Sequence, residues 1–130
     1  FRFIRWIAEG EAVIIYGDGL HERDFTYVSD IARGTIAAMQ LKGYDIINLG
    51  SDHPTQLVRV LAILEDLLGK QAQVRHKDSY SWDIRATWAD ISKARNLLDW
   101  KPEISLETGL EHAVRWYLEN RDWVKKAPLP

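Results

Sequence analysis

The chain has 130 residues, of which 46% are hydrophobic and 28% charged, with 17 Lys and Arg against 19 Asp and Glu. This length suits one domain with its own core. The net charge of −2 lacks the basic excess typical of proteins that bind nucleic acid or anionic membranes. The chain has no cysteine, which excludes disulfides and zinc thiolates and fits a reducing, cytoplasmic location. It also has no apolar run near the roughly 20 residues needed to span a bilayer.

Helical and strand patterns alternate along the chain. Helices are predicted over 1–9, from 29 or 30 to 42, and over 55–68, 91–98 and 106–120. Strands are predicted over 12–16, 24–28, 45–49 and 71–76, with a turn at Gly17-Asp18-Gly19. This order predicts an α/β protein, or α+β for an isolated piece, with short strands and about five helices.

The common catalytic motifs are missing from the sequence. A dinucleotide loop beginning at Gly17 and Gly19 would need a third glycine at position 22, which is Glu22. No tyrosine has a lysine four residues later, and the four histidines lack metal-ligand spacing. The motif search alone therefore predicts an α/β domain without a complete catalytic set.

Two loops carry arginines suited to an anion. Arg23 follows the glycine turn, and Arg85 precedes a capped helix. A guanidinium offers a planar fork to phosphate oxygens, and a diphosphate needs more than one cation. The alternative is that Arg23 and Asp24 form a solvated pair worth about 0–1 kcal/mol. Sequence reasoning leaves open whether the two loops meet.

Four motifs in series resemble the C-terminal part of the NAD-dependent epimerase/dehydratase family, the extended short-chain dehydrogenases that include UDP-glucose 4-epimerase. They are Tyr-Gly-Asp-Gly with Arg-Asp-Phe-Thr-Tyr-Val (16–28), Ile-Asn-Leu-Gly-Ser (47–51), Asp-Ile-Arg with Ala-Asp-Ile-Ser-Lys-Ala (83–94), and Lys-Pro through Val-Arg-Trp-Tyr (101–117). The resemblance covers nearly the whole chain in order.

The resemblance implies a substrate-binding role for this chain. It implies that Arg23 and Arg85 grip the diphosphate of a nucleotide sugar, that Ile14 and Tyr16 line the nucleobase pocket, and that Asp83 lies near the ribose or the second arginine. NAD and the catalytic Tyr and Lys would belong to a Rossmann domain preceding this chain, so no cofactor and no catalytic residue is expected within it. A 4-epimerase is the leading hypothesis for the full-length enzyme that the resemblance implies, whereas residues 1–130 alone are expected to be inactive.

The same resemblance sets expectations about partners and boundaries. Residues 1–130 would form one C-terminal substrate-binding portion, a fragment whose strand 45–49 completes the missing Rossmann sheet. Without that partner, we expect self-association or a swapped dimer. Trp82 replaces the glycine usual before Asp-Ile-Arg, which brings the role of Asp83 and the sugar specificity into question. The alternative function is a stand-alone, non-catalytic module that binds nucleotide sugars or another protein.

Overall fold

The computed structural model describes residues 1–80 and 82–128. The elements follow in the order α1 (Arg2–Glu9), β1 (Ala12–Tyr16), β2 (Glu22–Asp24), α2 (Val28–Ala38), β3 (Pro54–Gln56), α3 (Leu57–Leu68), β4 (Gln73–Lys77), β5 (Ala86–Thr87), α4 (Ser92–Leu98), α5 (Leu106–Glu119) and α6 (Arg121–Val124). The mixed α/β class is confirmed, with six helices among the described residues instead of about five.

The larger core lies between α1, β1, α3 and α5. The helical spacing of Ile4 and Ile7 gives α1 one apolar face, which packs on α3 and α5. Val13 and Ile15 alternate along β1 and are buried in the same cluster. Burial of these apolar side chains is the main favourable contribution to folding here. This core holds β1, and so the start of the glycine turn, in place.

Two small sheets carry the loops of interest. β1 pairs with β4 in parallel, from Ala12 opposite Gln73 to Tyr16 opposite Lys77. In the second sheet β2 is central, antiparallel to β3 on one side and parallel to β5 on the other. Arg23 lies opposite Thr87 in the second pairing, so the two predicted arginine loops meet along one strand pair.

A second cluster surrounds Trp100 and is tied to α2 by Asp30. The cluster contains Ile91, Ala94 and Trp100, all buried. Trp100 Nε1 donates to the Asp30 carbonyl at 3.0 Å, and the Asp30 carboxylate accepts from the amides of Glu103 and Ile104 at 3.1 and 3.0 Å. Burial alone would raise the pKa of Asp30, but the two amides and the Arg33 guanidinium, which donates to Oδ1 at 2.7 Å, outweigh it and lower that pKa.

The predicted strand 24–28 is wrong. β2 ends at Asp24, and α2 already begins at Val28 with Tyr27 as its extended N-cap residue. Asp30 lies inside the first turn of α2, so it is not the N-cap of this helix. It instead bonds to a segment more than 70 residues away, a tertiary role that local capping rules do not predict.

The predicted strand 45–49 is also wrong as secondary structure. Residues 45–49 form no ladder in the described part of the chain, because an extended segment becomes a strand only beside a hydrogen-bonding neighbour. Ile47 and Leu49 nevertheless pack on the Trp100 cluster, and Asp45 pairs with Lys93 at 2.6 Å. The segment therefore lies against α4 on one side only.

The remaining predictions shift by a few residues. The strand predicted at 71–76 is β4, and the helix predicted from 55 is α3, with Thr55 itself in β3. Ser105 caps α5 as predicted, accepting from the Thr108 amide at 3.2 Å. None of the helices formed by residues 1–80 and 82–128 combines the length and the apolar character needed to cross a bilayer.

Candidate functional site

The glycine turn after β1 forms one side of the site. Gly17 and Gly19 adopt φ of +73° and +78°, a backbone region that favours glycine. The Gly17 amide donates to Lys77 O at 2.8 Å, which fastens the turn to the end of β4. A Cβ at position 19 would lie 2.7 Å from Val58 Cγ1, so the turn also packs closely on α3. The turn leads into His21 and β2.

Arg23 is held by the protein on several sides. Its Nη2 donates to Asp83 Oδ1 at 2.8 Å, and its Nη1 donates to the carbonyls of Glu22 and Ile84 at 2.8 and 2.9 Å. Asp83 is separated from Arg23 by 60 residues, and the two side chains are about one-third exposed. The predicted anion ligand therefore has a carboxylate partner from the second loop.

Asp83 lies at the centre of the site. The Asp83 amide donates to Tyr80 O at 3.0 Å. With Oδ1 on Arg23, its other oxygen Oδ2 lies 3.8 Å from His21 Nε2. The imidazole of His21 is largely buried, with a side-chain exposure of 13%. Asp83 thus contacts the first arginine, and its predicted place near the ribose or the second arginine stays a prediction.

Arg85 opens onto solvent beside the same carboxylate. Its carbonyl accepts from the Glu22 amide at 2.8 Å, which joins its backbone to the start of β2. Its side chain lines a cleft of about 380 Å³ together with Asp18, His21 and Asp83. Among residues 1–80 and 82–128, no carboxylate forms an ion pair with the Arg85 guanidinium. The structure therefore gives Arg23 and Arg85 different surroundings, one paired and one open.

A second, largely apolar cleft adjoins the first. It has a volume of about 340 Å³ and contains Ile14 and Tyr16 from β1, Phe3 and Trp6 from α1, and His21 and Asp83 at the boundary with the first cleft. The Tyr16 ring stacks on Tyr80 with centroids 5.3 Å apart. Four of the five site residues predicted from the sequence line these two clefts, namely Ile14, Tyr16, Asp83 and Arg85. The fifth, Arg23, lines neither cleft but donates to Asp83, which lines both.

Trp82 extends the aromatic stack. Its ring lies 4.9 Å from that of Tyr80, and the residue is 76% exposed. Trp82 is not among the residues lining either cleft. The indole therefore packs on Tyr80 without lining either cleft.

The Asp24 carboxylate joins the end of β2 to residues 51–52 and to Ala89. Its carboxylate accepts from the amides of Ser51, Asp52 and Ala89 at 2.7, 3.2 and 3.1 Å. Burial would raise the pKa of Asp24, but these hydrogen bonds outweigh it and lower the pKa. A Cβ on Gly50 would come within 2.6 Å of Asp24 Oδ2, so the close approach requires glycine.

Sequence reasoning missed His21 and Tyr80 as site residues and missed the full role of Asp24. The ion pair between Arg23 and Asp83 and the stack of Tyr16 on Tyr80 bring together residues about 60 positions apart. The glycine turn was the one local signal that could have pointed to His21, because binding residues are often found on loops held by a rigid scaffold.

Comparisons with known proteins place this geometry in a family. The family model for GDP-mannose 4,6 dehydratase matches residues 1–113. A UDP-glucuronate 4-epimerase of Thermodesulfobacterium geofontis is 50% identical over 126 residues, which are 96% of this chain and 39% of that protein. The chain therefore spans about two-fifths of the length of this relative.

Solved structures agree with the sequence comparison. A Thermotoga maritima UDP-glucose 4-epimerase, solved with UDP-glucose, superposes with a TM-score of 0.87 at 30% identity, covering 92% of this chain and 39% of that one. A Bacillus cereus UDP-glucuronic acid 4-epimerase, solved with UDP-glucuronic acid and NAD, gives 0.83 at 37% identity with the same coverage. The chain belongs to the GDP-mannose 4,6 dehydratase family, among the NAD-dependent epimerases and dehydratases that its motifs indicated.

Proposed function

We propose that this chain is the nucleotide-sugar-binding part of an NAD-dependent 4-epimerase acting on a UDP-sugar. The observation that carries the proposal is the 50% identity to a UDP-glucuronate 4-epimerase across 96% of the chain. The two adjoining clefts supply a site of suitable chemistry, one lined by apolar and aromatic side chains and the other by Arg85. The flat base of a nucleotide sugar matches the apolar cleft, and its anionic diphosphate matches the cleft that Arg85 lines.

The residues of this chain do not fit NAD itself. Its glycine turn lacks the third glycine of the dinucleotide fingerprint and leads into β2, whereas that fingerprint opens a helix. NAD would therefore be bound by a dinucleotide-binding domain outside residues 1–130, where it would accept and return a hydride during epimerisation. The contribution of this chain is binding and orientation.

Each site residue has a role in that binding. Arg85, open to solvent, would donate to the diphosphate, and Ile14 and Tyr16 would line the place of the base. Arg23 would act on the ligand largely through Asp83, whose position it fixes. Interactions with the nucleotide hold the sugar in one orientation, which lowers the entropic cost of reaching the transition state.

The dinucleotide-binding domain would dock on the exposed apolar stretch that begins in the last turn of α2 and continues after it. Ile36, Met39, Tyr44 and Ile46 are all exposed, Tyr44 at 89% and Ile46 at 66%. Contiguous exposed apolar surface is typical of a contact with another domain or subunit. In the absence of that domain, a second copy of this chain would cover the stretch.

Titration of the full-length protein with UDP-glucose and UDP-glucuronate tests the proposal. We expect both binding and 4-epimerisation, measured by calorimetry and by NMR of the sugar product. Arg85→Ala should weaken binding by about 1.5–3 kcal/mol, the contribution of a charge-assisted hydrogen bond. The matched control is Arg115→Ala, which removes an exposed arginine paired with Glu111 on α5.

Two results would count against the proposal. If neither UDP-sugar binds to the wild-type protein, the assignment of the site is wrong. Binding without epimerisation would favour the stand-alone binding module. Unchanged affinity in Arg85→Ala would remove the diphosphate contact from Arg85 while leaving the family membership intact.

A further inference from the structure

The charges around the clefts do not favour an anion as strongly as two arginines suggest. Asp83 pairs with Arg23, and Asp18 lies close enough to Arg85 for the guanidinium to help lower its pKa, after the larger effect of the Leu20 amide. At the cleft that Arg85 lines, these four ionised side chains sum to zero, whereas the adjoining apolar cleft carries two further cations, Arg2 and Lys77. A diphosphate linked to a nucleoside and a sugar carries two negative charges, which the four groups at the Arg85 cleft do not offset by themselves.

His21 is the titratable group at the point where the two clefts meet. It lines both of them, and its Nε2 lies 3.8 Å from Asp83 Oδ2, beyond hydrogen-bond distance. The imidazole nitrogens make no hydrogen bond with residues 1–80 or 82–128. A largely buried imidazole with free donor capacity, facing an anion site, is suited to contact a ligand.

We propose that His21 is an additional diphosphate-contacting residue whose protonation tightens nucleotide-sugar binding. Protonated His21 would be a donor at both ring nitrogens and would change the summed charge of the five groups from zero to +1. Protonated His21 would also face Asp83, so that its positive charge would attract both the Asp83 carboxylate and the ligand. This inference rests on the proposed function, because it concerns the affinity of the same site for the same class of ligand.

The other charged groups near His21 do not reproduce this effect. Arg2, Tyr16 and Lys77 line the apolar cleft, and Asp18, Tyr80, Asp83 and Arg85 line the other. Carboxylates, phenols, ammonium groups and guanidinium groups have ordinary pKa values that lie outside the range from about pH 6 to about pH 8. Histidine changes charge between about pH 5 and pH 8, which leaves histidines as the source of any pH dependence.

The test is a titration of the full-length protein with UDP-glucose near pH 6 and near pH 8. UDP-glucose is the probe because its diphosphate is esterified at both ends and, unlike a terminal phosphate with a pKa of about 6, does not titrate in this range. We expect the wild-type Kd to be about three- to tenfold lower at the lower pH, as for a neutral hydrogen bond that becomes charge-assisted in a partly exposed site.

Three variants assign the effect. His21→Gln should bind equally at both pH values, at the weaker wild-type level, and His21→Lys should bind tightly at both. His76→Gln is the matched control, because His76 is the other histidine at this turn, with Nδ1 2.8 Å from Gly17 O. Circular dichroism and the melting temperature of each variant establish that it is folded.

The outcomes separate this inference from the proposed function. Absence of UDP-glucose binding to the wild type at either pH overturns the proposed function, and this inference with it. Binding that does not change with pH, or whose pH dependence persists in His21→Gln or disappears in His76→Gln, overturns the role of His21 alone. Loss of pH dependence in His21→Gln with tight binding in His21→Lys supports it.

Discussion

Replacing Asp24 with asparagine should destabilise the protein by about 2–4 kcal/mol at neutral pH. The Asp24 carboxylate accepts three backbone N–H groups, from Ser51, Asp52 and Ala89. A hydrogen bond to a charged acceptor contributes about 1.5–3 kcal/mol. Asparagine keeps one oxygen but places an NH₂ group against the remaining amides, so one or two of the three bonds are lost.

The pH dependence of this loss follows from the lowered pKa of Asp24. A carboxyl whose folded pKa lies below its ordinary value of 3.8 contributes stability above that value. This contribution disappears as the pH falls through the folded pKa. The difference in unfolding free energy between wild type and Asp24→Asn should therefore be full at pH 7 and shrink below about pH 4.

Urea unfolding followed by tryptophan fluorescence measures this difference from pH 7 down to about pH 3. The midpoint should fall with an unchanged slope against denaturant, since the surface exposed on unfolding stays the same. Asp18→Asn is the control. Asp18 is an exposed aspartate whose carboxylate accepts from the Leu20 amide at 2.9 Å and from no other residue among 1–80 and 82–128, so its removal should have little effect. The reasoning fails if Asp24→Asn loses less than about 0.5 kcal/mol, or if its loss stays constant at low pH.

Two further predictions concern the helices around the main core. Glu9 accepts from Arg121 Nε at 2.7 Å and from Tyr117 Oη at 2.8 Å. The hydrogen bond from the arginine is the main reason that the pKa of Glu9 falls to about 2. Burial, and then the hydrogen bond to Glu9, raise the pKa of Tyr117 to about 12. Glu9→Gln should therefore lower the free energy of unfolding by about 1–3 kcal/mol at pH 7, and urea titrations should show that this loss becomes smaller below about pH 4. An equal loss at about pH 2 would contradict the ion-pair explanation. Ser105→Ala should cost about 1 kcal/mol by removing the N-cap of α5, and a thermal melt unchanged by this substitution would show that the cap contributes nothing.

The sequence predicts those parts of the fold whose cause is local. The helices α1, α3 and α5 combine apolar spacing with a recognisable end at Gly10, Gly69 or Ser105. β3 and β5 were missed because segments of three and two residues carry no period. They are strands only because β2 lies between them, and no rule based on neighbouring residues contains that information.

The candidate site likewise contains residues that the sequence predicts and arrangements that depend on distant partners. Arg23 and Arg85 can be chosen from the sequence because guanidinium chemistry and loop position are visible there. The difference in their surroundings is not visible in the sequence. It depends on the carboxylate of Asp83, which pairs with Arg23 although the two residues are 60 positions apart. A residue type indicates what a side chain is able to bind, whereas the partner it already has decides how much of that capacity is left for a ligand.

Residues 45–49 show why a strand prediction is also a statement about neighbours. The alternation of Ile46, Ile47, Asn48 and Leu49 places Ile47 and Leu49 on the Trp100 cluster, while Ile46 and Asn48 remain exposed. The apolar character of Ile46 and Tyr44 on the exposed side has no partner among the described residues. An exposed apolar face of this kind is typical of a contact with another domain or subunit. In the proposed function, the central sheet of a dinucleotide-binding domain would supply that contact, and residues 45–49 would become a strand only on pairing with it.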